Sequence, residues 1–220
     1  MGWLQQLKPT RAVGCLFCVR LAERKRFCFG QTCNKNYGCE LMDCDNILRY
    51  SDEKDKSYGV AGMAIAVVAY DCEDSLSGID IDASADDCVK FGTEFYFIGN
   101  PRLSAKIAWS EILKHFRLGT GLLVANAMSR SYVQHRRPLT ADVQTAIRDF
   151  IHKSGAADEV QLGEDEIDAI FDRNIDFFDR LFRMQATHDA AHALAADLID
   201  RRHLSAAETV ERLAVMMRYL

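Results

Sequence analysis

The stretch Gly59-Val60-Ala61-Gly62-Met63-Ala64-Ile65-Ala66-Val67-Val68-Ala69-Tyr70 decides the fold class. Its apolar residues run on without alternation, so periodicity alone fits a buried helix or a buried strand of a parallel sheet. Length and alanine content favour a helix, against the pull of Val67-Val68 and two glycines. We read it as a helix that continues through residues 71–76. The uncharged run over 58–70 has 13 residues, short of the roughly 20 that a bilayer span needs. The element is therefore expected to lie inside a protein core.

The chain on the C-terminal side supports a helical fold. The protein has only 3 prolines among 220 residues, so long uninterrupted helices are possible. Asn100 and Pro101 form a helix-start pair, followed by Ile107, Ile112, Leu113 and Phe116 near one face. Residues 118–128 are apolar nearly all round and are expected to form the central buried helix. Gly119 and Gly121 mark either a break or a close contact, and Pro138 ends this unit.

A series of capped helices follows. Thr140 precedes the stripe Val143, Ile147, Phe150 and Ile151, with Gly155 beyond its end. The acids Glu164-Asp165-Glu166 suit the positive end of the next helix dipole. That helix carries the stripe Ile167, Ile170, Phe171, Ile175, Phe178, Leu181 and Phe182. Thr187 is a candidate cap for a helix through Leu194, Leu198 and Ile199, and Ser205-Ala206-Ala207-Glu208 has the form of a capping box. Between the first helix and Asn100, the Asp-rich stretch is read as a loop. Phe95-Tyr96-Phe97-Ile98 is read as a short strand or an apolar loop on the core.

The N-terminal side reads differently. Residues 1–50 hold Cys15, Cys18, Cys28, Cys33, Cys39 and Cys44 among turn-forming residues. Such a segment buries little apolar area alone and needs cross-links or a partner surface. Zinc takes four thiolate or imidazole ligands in a tetrahedron, usually as two close pairs. Cys15-x2-Cys18 has the short spacing; Cys28-x4-Cys33 and Cys39-x4-Cys44 are looser. Six cysteines fit one four-ligand site with two to spare, and the spacing matches neither common ferredoxin pattern. Two alternatives remain open, disulfides and small buried thiols without metal. Metal is the favoured reading, with structural zinc as the cofactor and these six cysteines as the pool of ligands.

Charge and motifs narrow the function classes. Net charge is −5, which does not suit a generic nucleic-acid or anionic-membrane binder. Residues 1–40 carry seven basic and two acidic side chains, a net +5, whereas 71–94 carry eight acids and Lys90, a net −7. Mutual attraction or simple solvation accounts for both segments. No targeting pattern is present, so the cytoplasm is expected. A protein partner is compatible with this reading, and composition gives no oligomeric state.

His188 and His192 stand four apart on one helical face, near a carboxylate stripe of Asp168, Asp172, Asp176 and Asp179. The dinuclear carboxylate pattern needs Glu-x-x-His on paired helices, and the chain offers one variant, Asp189-x-x-His192, and no second; the zincin pattern needs Glu straight after the first His, where Asp189 stands. His188-Asp189 resembles the adjacent His-Asp pair of helical metal-dependent phosphohydrolases, which would make His152 an upstream ligand. Its downstream acid would have to be Asp197 or Asp200, very close in sequence. Residues 80–91 begin like a calcium loop, but Ala85 and Phe91 stand where glycine and glutamate are required. No phosphate-binding loop, dinucleotide fingerprint or nucleophile elbow occurs.

The expected fold is mainly α: a helical bundle of about six or seven helices over 51–220, with the Cys-rich, metal-stabilised segment over 1–50. The expected function is a non-enzymatic interaction or regulatory protein with a structural zinc site. One alternative is a metal-dependent helical, hydrolase-like enzyme using His188, His192 and carboxylates. The other is nucleic-acid binding through Arg20, Arg24, Lys25, Arg26, Phe27 and Phe29.

Overall fold

A computed structural model describes residues 49–85, 87–96, 105–154 and 162–218. Among them are six α-helices and one small three-stranded sheet. The six candidate zinc ligands, Cys15 to Cys44, lie outside the described residues, as do Asn100, Pro101 and Gly155.

The first helix, α1, spans Glu53–Ala69. It begins earlier than its apolar run because Asp52 caps it: the Asp52 carboxylate accepts from the Asp55 N–H at 2.7 Å. Glu53 and Asp55 add negative charge at the positive dipole end. Every residue from Ser57 to Val68 is buried. This explains the missing periodicity, since a helix enclosed on all sides has no polar face to mark.

The helix stops at Ala69 and does not reach residue 76. Asp71 takes a left-handed backbone, φ 51°, which ends helical hydrogen bonding. After a 3-10 turn at Glu73–Ser75, the chain enters β1, Leu76–Asp80. Strand β2, Val89–Phe91, pairs antiparallel on one side of β1, and β3, His203–Ser205, on the other. The Asp-rich stretch is thus more than a loop. Its strands are three and five residues long, too short to stand out by alternation. Phe95 belongs to a 3-10 turn, Thr93–Tyr96, and its ring stacks on Phe91 and His115 with centroids 4.1 and 4.2 Å away.

Helix α2, Ala105–Met128, is continuous through Gly119 and Gly121. A Cβ on Gly121 would lie 2.6 Å from the Tyr70 ring and 3.2 Å from Phe178, so this glycine marks a close contact and no break. The α-helix then widens into a π-helical turn, Ser129–Gln134. Arg136 follows with φ 53°, and the extended segment through Pro138 leads to α3, Ala141–Lys153, capped by Thr140.

Helix α4, Glu164–Leu181, buries Ile167, Ile170, Phe171, Phe178 and Leu181 and leaves Ile175 half-buried. Helix α5, Gln185–Arg201, starts before Thr187, which is buried inside its first turn instead of capping it. Ser205 caps α6, Ala206–Met217, with its hydroxyl accepting from the Glu208 N–H, while the Glu208 carboxylate accepts from the Ser205 N–H at 2.9 Å.

The centre of the core is α1, whose packing partners include α2, α5, α6 and the π-helical turn; α4 closes on α2. Residues 118–128, expected at the centre, leave Leu122 and Leu123 half-buried. Among the described residues, no helix is long and apolar enough to cross a membrane.

Candidate functional site

His188 and His192 occupy successive turns of α5 and face a cleft of about 510 Å³. The opposite wall comes from the π-helical turn and the segment after it: Tyr132, Arg136, Arg137 and Pro138. The π-turn adds a residue to the helical repeat, and π-bulges often occur at functional sites. The left-handed backbone of Arg136 is uncommon for a residue with a side chain and places two consecutive arginines on the cleft.

Each histidine is fixed by one ring nitrogen. His188 Nε2 lies 2.6 Å from the Phe182 carbonyl oxygen. A carbonyl only accepts, so Nε2 carries the proton and Nδ1 is the acceptor of the neutral ring. His192 Nδ1 lies 2.7 Å from the Tyr58 hydroxyl, with the rings edge to face at 5.5 Å. The phenol is the natural donor in that pair, which puts the neutral ring's proton on Nε2. Partial desolvation holds the His192 pKa below its ordinary value, helped by His188, Arg136 and Lys54 and opposed by Asp189.

The nearby carboxylates are engaged elsewhere. Asp179 accepts from the Tyr132 hydroxyl and from Arg183 Nε, the latter at 2.9 Å. These contacts hold the Asp179 pKa down; burial first, then Asp179, pushes the Tyr132 phenol up. Asp189 accepts from Gln185 Nε2 at 2.8 Å. Two more acids of the stripe form pairs, Asp168 with His152 at 3.0 Å and Asp172 with Arg148 at 2.6 Å; Asp176 is exposed. Arg212 Nε lies 2.7 Å from Asp197.

The structure thus brings His188 and His192 together without a third ligand. Among the described residues, no group of three His, Cys, Asp or Glu side chains is placed to hold a metal ion. His152 is tied to Asp168, so the His-Asp resemblance gains no upstream ligand. The remaining cysteines, Cys72 and Cys88, are both buried. Sequence reasoning missed Tyr58, Tyr132, Arg136 and Arg137. The one available signal was the basic run His135-Arg136-Arg137 immediately before Pro138.

Comparison with protein-family models, with curated proteins and with solved structures gives no match.

Proposed function

We propose that this chain is a non-enzymatic, regulatory binding protein. Its helical part takes a small oxyanion in the cleft between α5 and the π-helical turn, and its Cys-rich segment is knit by a structural zinc ion. One observation carries the reading of the helical part. Two guanidinium groups and two imidazoles line one cleft, while Asp179 and Asp189 beside it are held by other side chains. The two guanidinium groups and the His192 Nε2–H offer donors to an anion, and guanidinium matches oxyanion geometry through paired hydrogen bonds.

The zinc part rests on the spacing of Cys15, Cys18, Cys28, Cys33, Cys39 and Cys44. A protein partner suits the regulatory reading.

Calorimetry with phosphate and sulfate at fixed ionic strength tests the cleft. Binding that weakens at least tenfold in Arg136→Gln and Arg137→Gln is the expected result. No binding, or equal binding by wild type and both variants, rejects it. Element analysis of the same protein tests the zinc site, with about one equivalent expected. Less than half an equivalent counts against it.

A further inference from the structure

A second cleft, of about 350 Å³, lies where the end of α1 meets α2 and α4. Its polar groups are Arg117 from α2 and Arg173, Asn174 and Arg180 from α4; its aromatic surface is Tyr70 and Phe177. We propose that this cleft binds a mononucleotide, a planar ring carrying phosphate.

Three observations support that class of ligand. The first is charge without partners. Arg130, Arg148, Arg183, Arg201, Arg202 and Arg212 all pair with carboxylates. Arg117, Arg173 and Arg180 are exposed and pair with no carboxylate among the described residues. Asp176, three residues after Arg173 and four before Arg180 on α4, is exposed and forms no ion pair among the described residues. Three guanidinium groups on one small cleft, without an ion pair among the described residues, suit phosphate better than a single carboxylate, because phosphate presents more charge and more acceptor oxygens.

The second is spacing. Arg173 and Arg180 are seven residues apart on α4, two turns or roughly 10 Å along the axis. Phe177 stands between them on the same face. Its ring lies 5.9 Å from the Tyr70 ring. An aromatic surface flanked by cations takes a base by stacking and its phosphate by charge.

The third is a fixed floor. Asn174 is 1% exposed. Its carboxamide oxygen accepts from the Tyr70 hydroxyl, and its nitrogen donates to the Arg117 carbonyl at 3.4 Å. One side chain therefore locks the three helices that form the cleft, so a ligand meets a preformed surface. The cleft volume falls within the range of small-molecule sites.

Calorimetry on the full chain with AMP, GMP, CMP and UMP tests this, with adenosine and inorganic phosphate as partial ligands. At least one nucleotide should bind, with the free nucleoside and phosphate each at least tenfold weaker. Binding should fall at least tenfold in Arg173→Gln and in Arg180→Gln, both exposed positions whose folding is checked by circular dichroism. Lys153→Gln, an exposed cation on α3 that lines neither cleft, should bind the nucleotide as wild type does. No nucleotide binding overturns the proposal. So does nucleotide binding that survives Arg173→Gln and Arg180→Gln, or binding no tighter than that of inorganic phosphate.

Discussion

Asp55 and Arg130 form a two-pronged ion pair in the interior, with Nε 2.7 Å from one carboxylate oxygen and Nη2 2.6 Å from the other. Asp55 is 2% exposed and Arg130 side-chain exposure is 15%. The pair joins the first turn of α1 to the π-helical turn that precedes the cleft arginines. Arg130 also donates to the Arg49 carbonyl at 2.8 Å and lies over the Tyr50 ring at 5.1 Å. The Ser51 N–H completes the carboxylate's set at 2.9 Å.

Removing one partner strands the other. Arg130→Met leaves Asp55 buried without its cation and should cost about 3–5 kcal/mol in denaturant unfolding. Asp55→Leu combined with Arg130→Met should recover much of that loss. A double variant as unstable as the single one would show that the arginine acts through something other than this charge.

Burial alone would raise the Asp55 pKa, but the Arg130 and Ser51 hydrogen bonds outweigh it and the net shift is downward. A depressed carboxylate pKa means the folded state binds fewer protons than the unfolded chain. Its stabilisation is therefore complete above the ordinary value of about 3.8 and is lost as pH falls through the folded pKa. Stability measured between pH 6 and pH 2 should decline less steeply in Asp55→Leu/Arg130→Met than in wild type. Parallel curves would remove Asp55 from the acid response.

The crossing of α1 and α2 depends on Gly62. A Cβ there would sit 2.3 Å from the Ala125 carbonyl oxygen and 2.6 Å from Ser129 Cβ. Gly62→Ala should destabilise by about 1–3 kcal/mol through overpacking, despite the roughly 1 kcal/mol that helix propensity offers alanine. Gly92→Ala is the control, because its Cβ would meet nothing closer than Ser75 O at 3.8 Å. Chemical denaturation of both variants checks this, and equal midpoints would refute the close contact.

His192 should titrate below the ordinary histidine value. Its folded form then favours the neutral ring, so its contribution to stability is present above about pH 6.5 and is lost as pH falls through the folded pKa. Nitrogen shifts of the ring should show the proton on Nε2 in wild type. Tyr58→Phe should mix the two tautomers by removing the donor to Nδ1. An unchanged tautomer in Tyr58→Phe would mean that the phenol does not orient the ring.

These contacts mark how far the sequence could be read. The helices with one apolar stripe were legible, because α3 and α4 turn that stripe inward, buried or half-buried, and carry a side-chain cap or acids where they begin, as α6 carries its capping box. The core helix α1 was legible in kind but not in extent: enclosed on every side, it has no periodicity to mark its ends, and Asp52 and Asp71 set them. The sheet was hidden because β1 pairs with β3 across more than a hundred residues, while each strand is only a few residues long. The cleft histidines were visible as an i, i+4 pair. Tyr58, Tyr132 and the two arginines were not, since a π-turn and a left-handed residue bring them there.

The two buried thiols sharpen the test of the zinc proposal. Cys72 is 4% exposed and Cys88 0%; Cys72 donates to the Tyr70 carbonyl at 3.3 Å and Cys88 to the Ser84 carbonyl at 3.1 Å. Burial, the largest influence, pushes the Cys72 thiol pKa up, and thiolate is the reactive form. Both should therefore react with a thiol reagent only on unfolding. If four of the six N-terminal cysteines hold zinc, the native protein should show about two fast thiols, and about four more should appear together with released metal when a chelator is added. Full denaturation should then bring the total to the 8 cysteines of the sequence. Six fast thiols before any chelator would defeat the zinc site. Thiols that appear only with reductant would identify disulfides in its place.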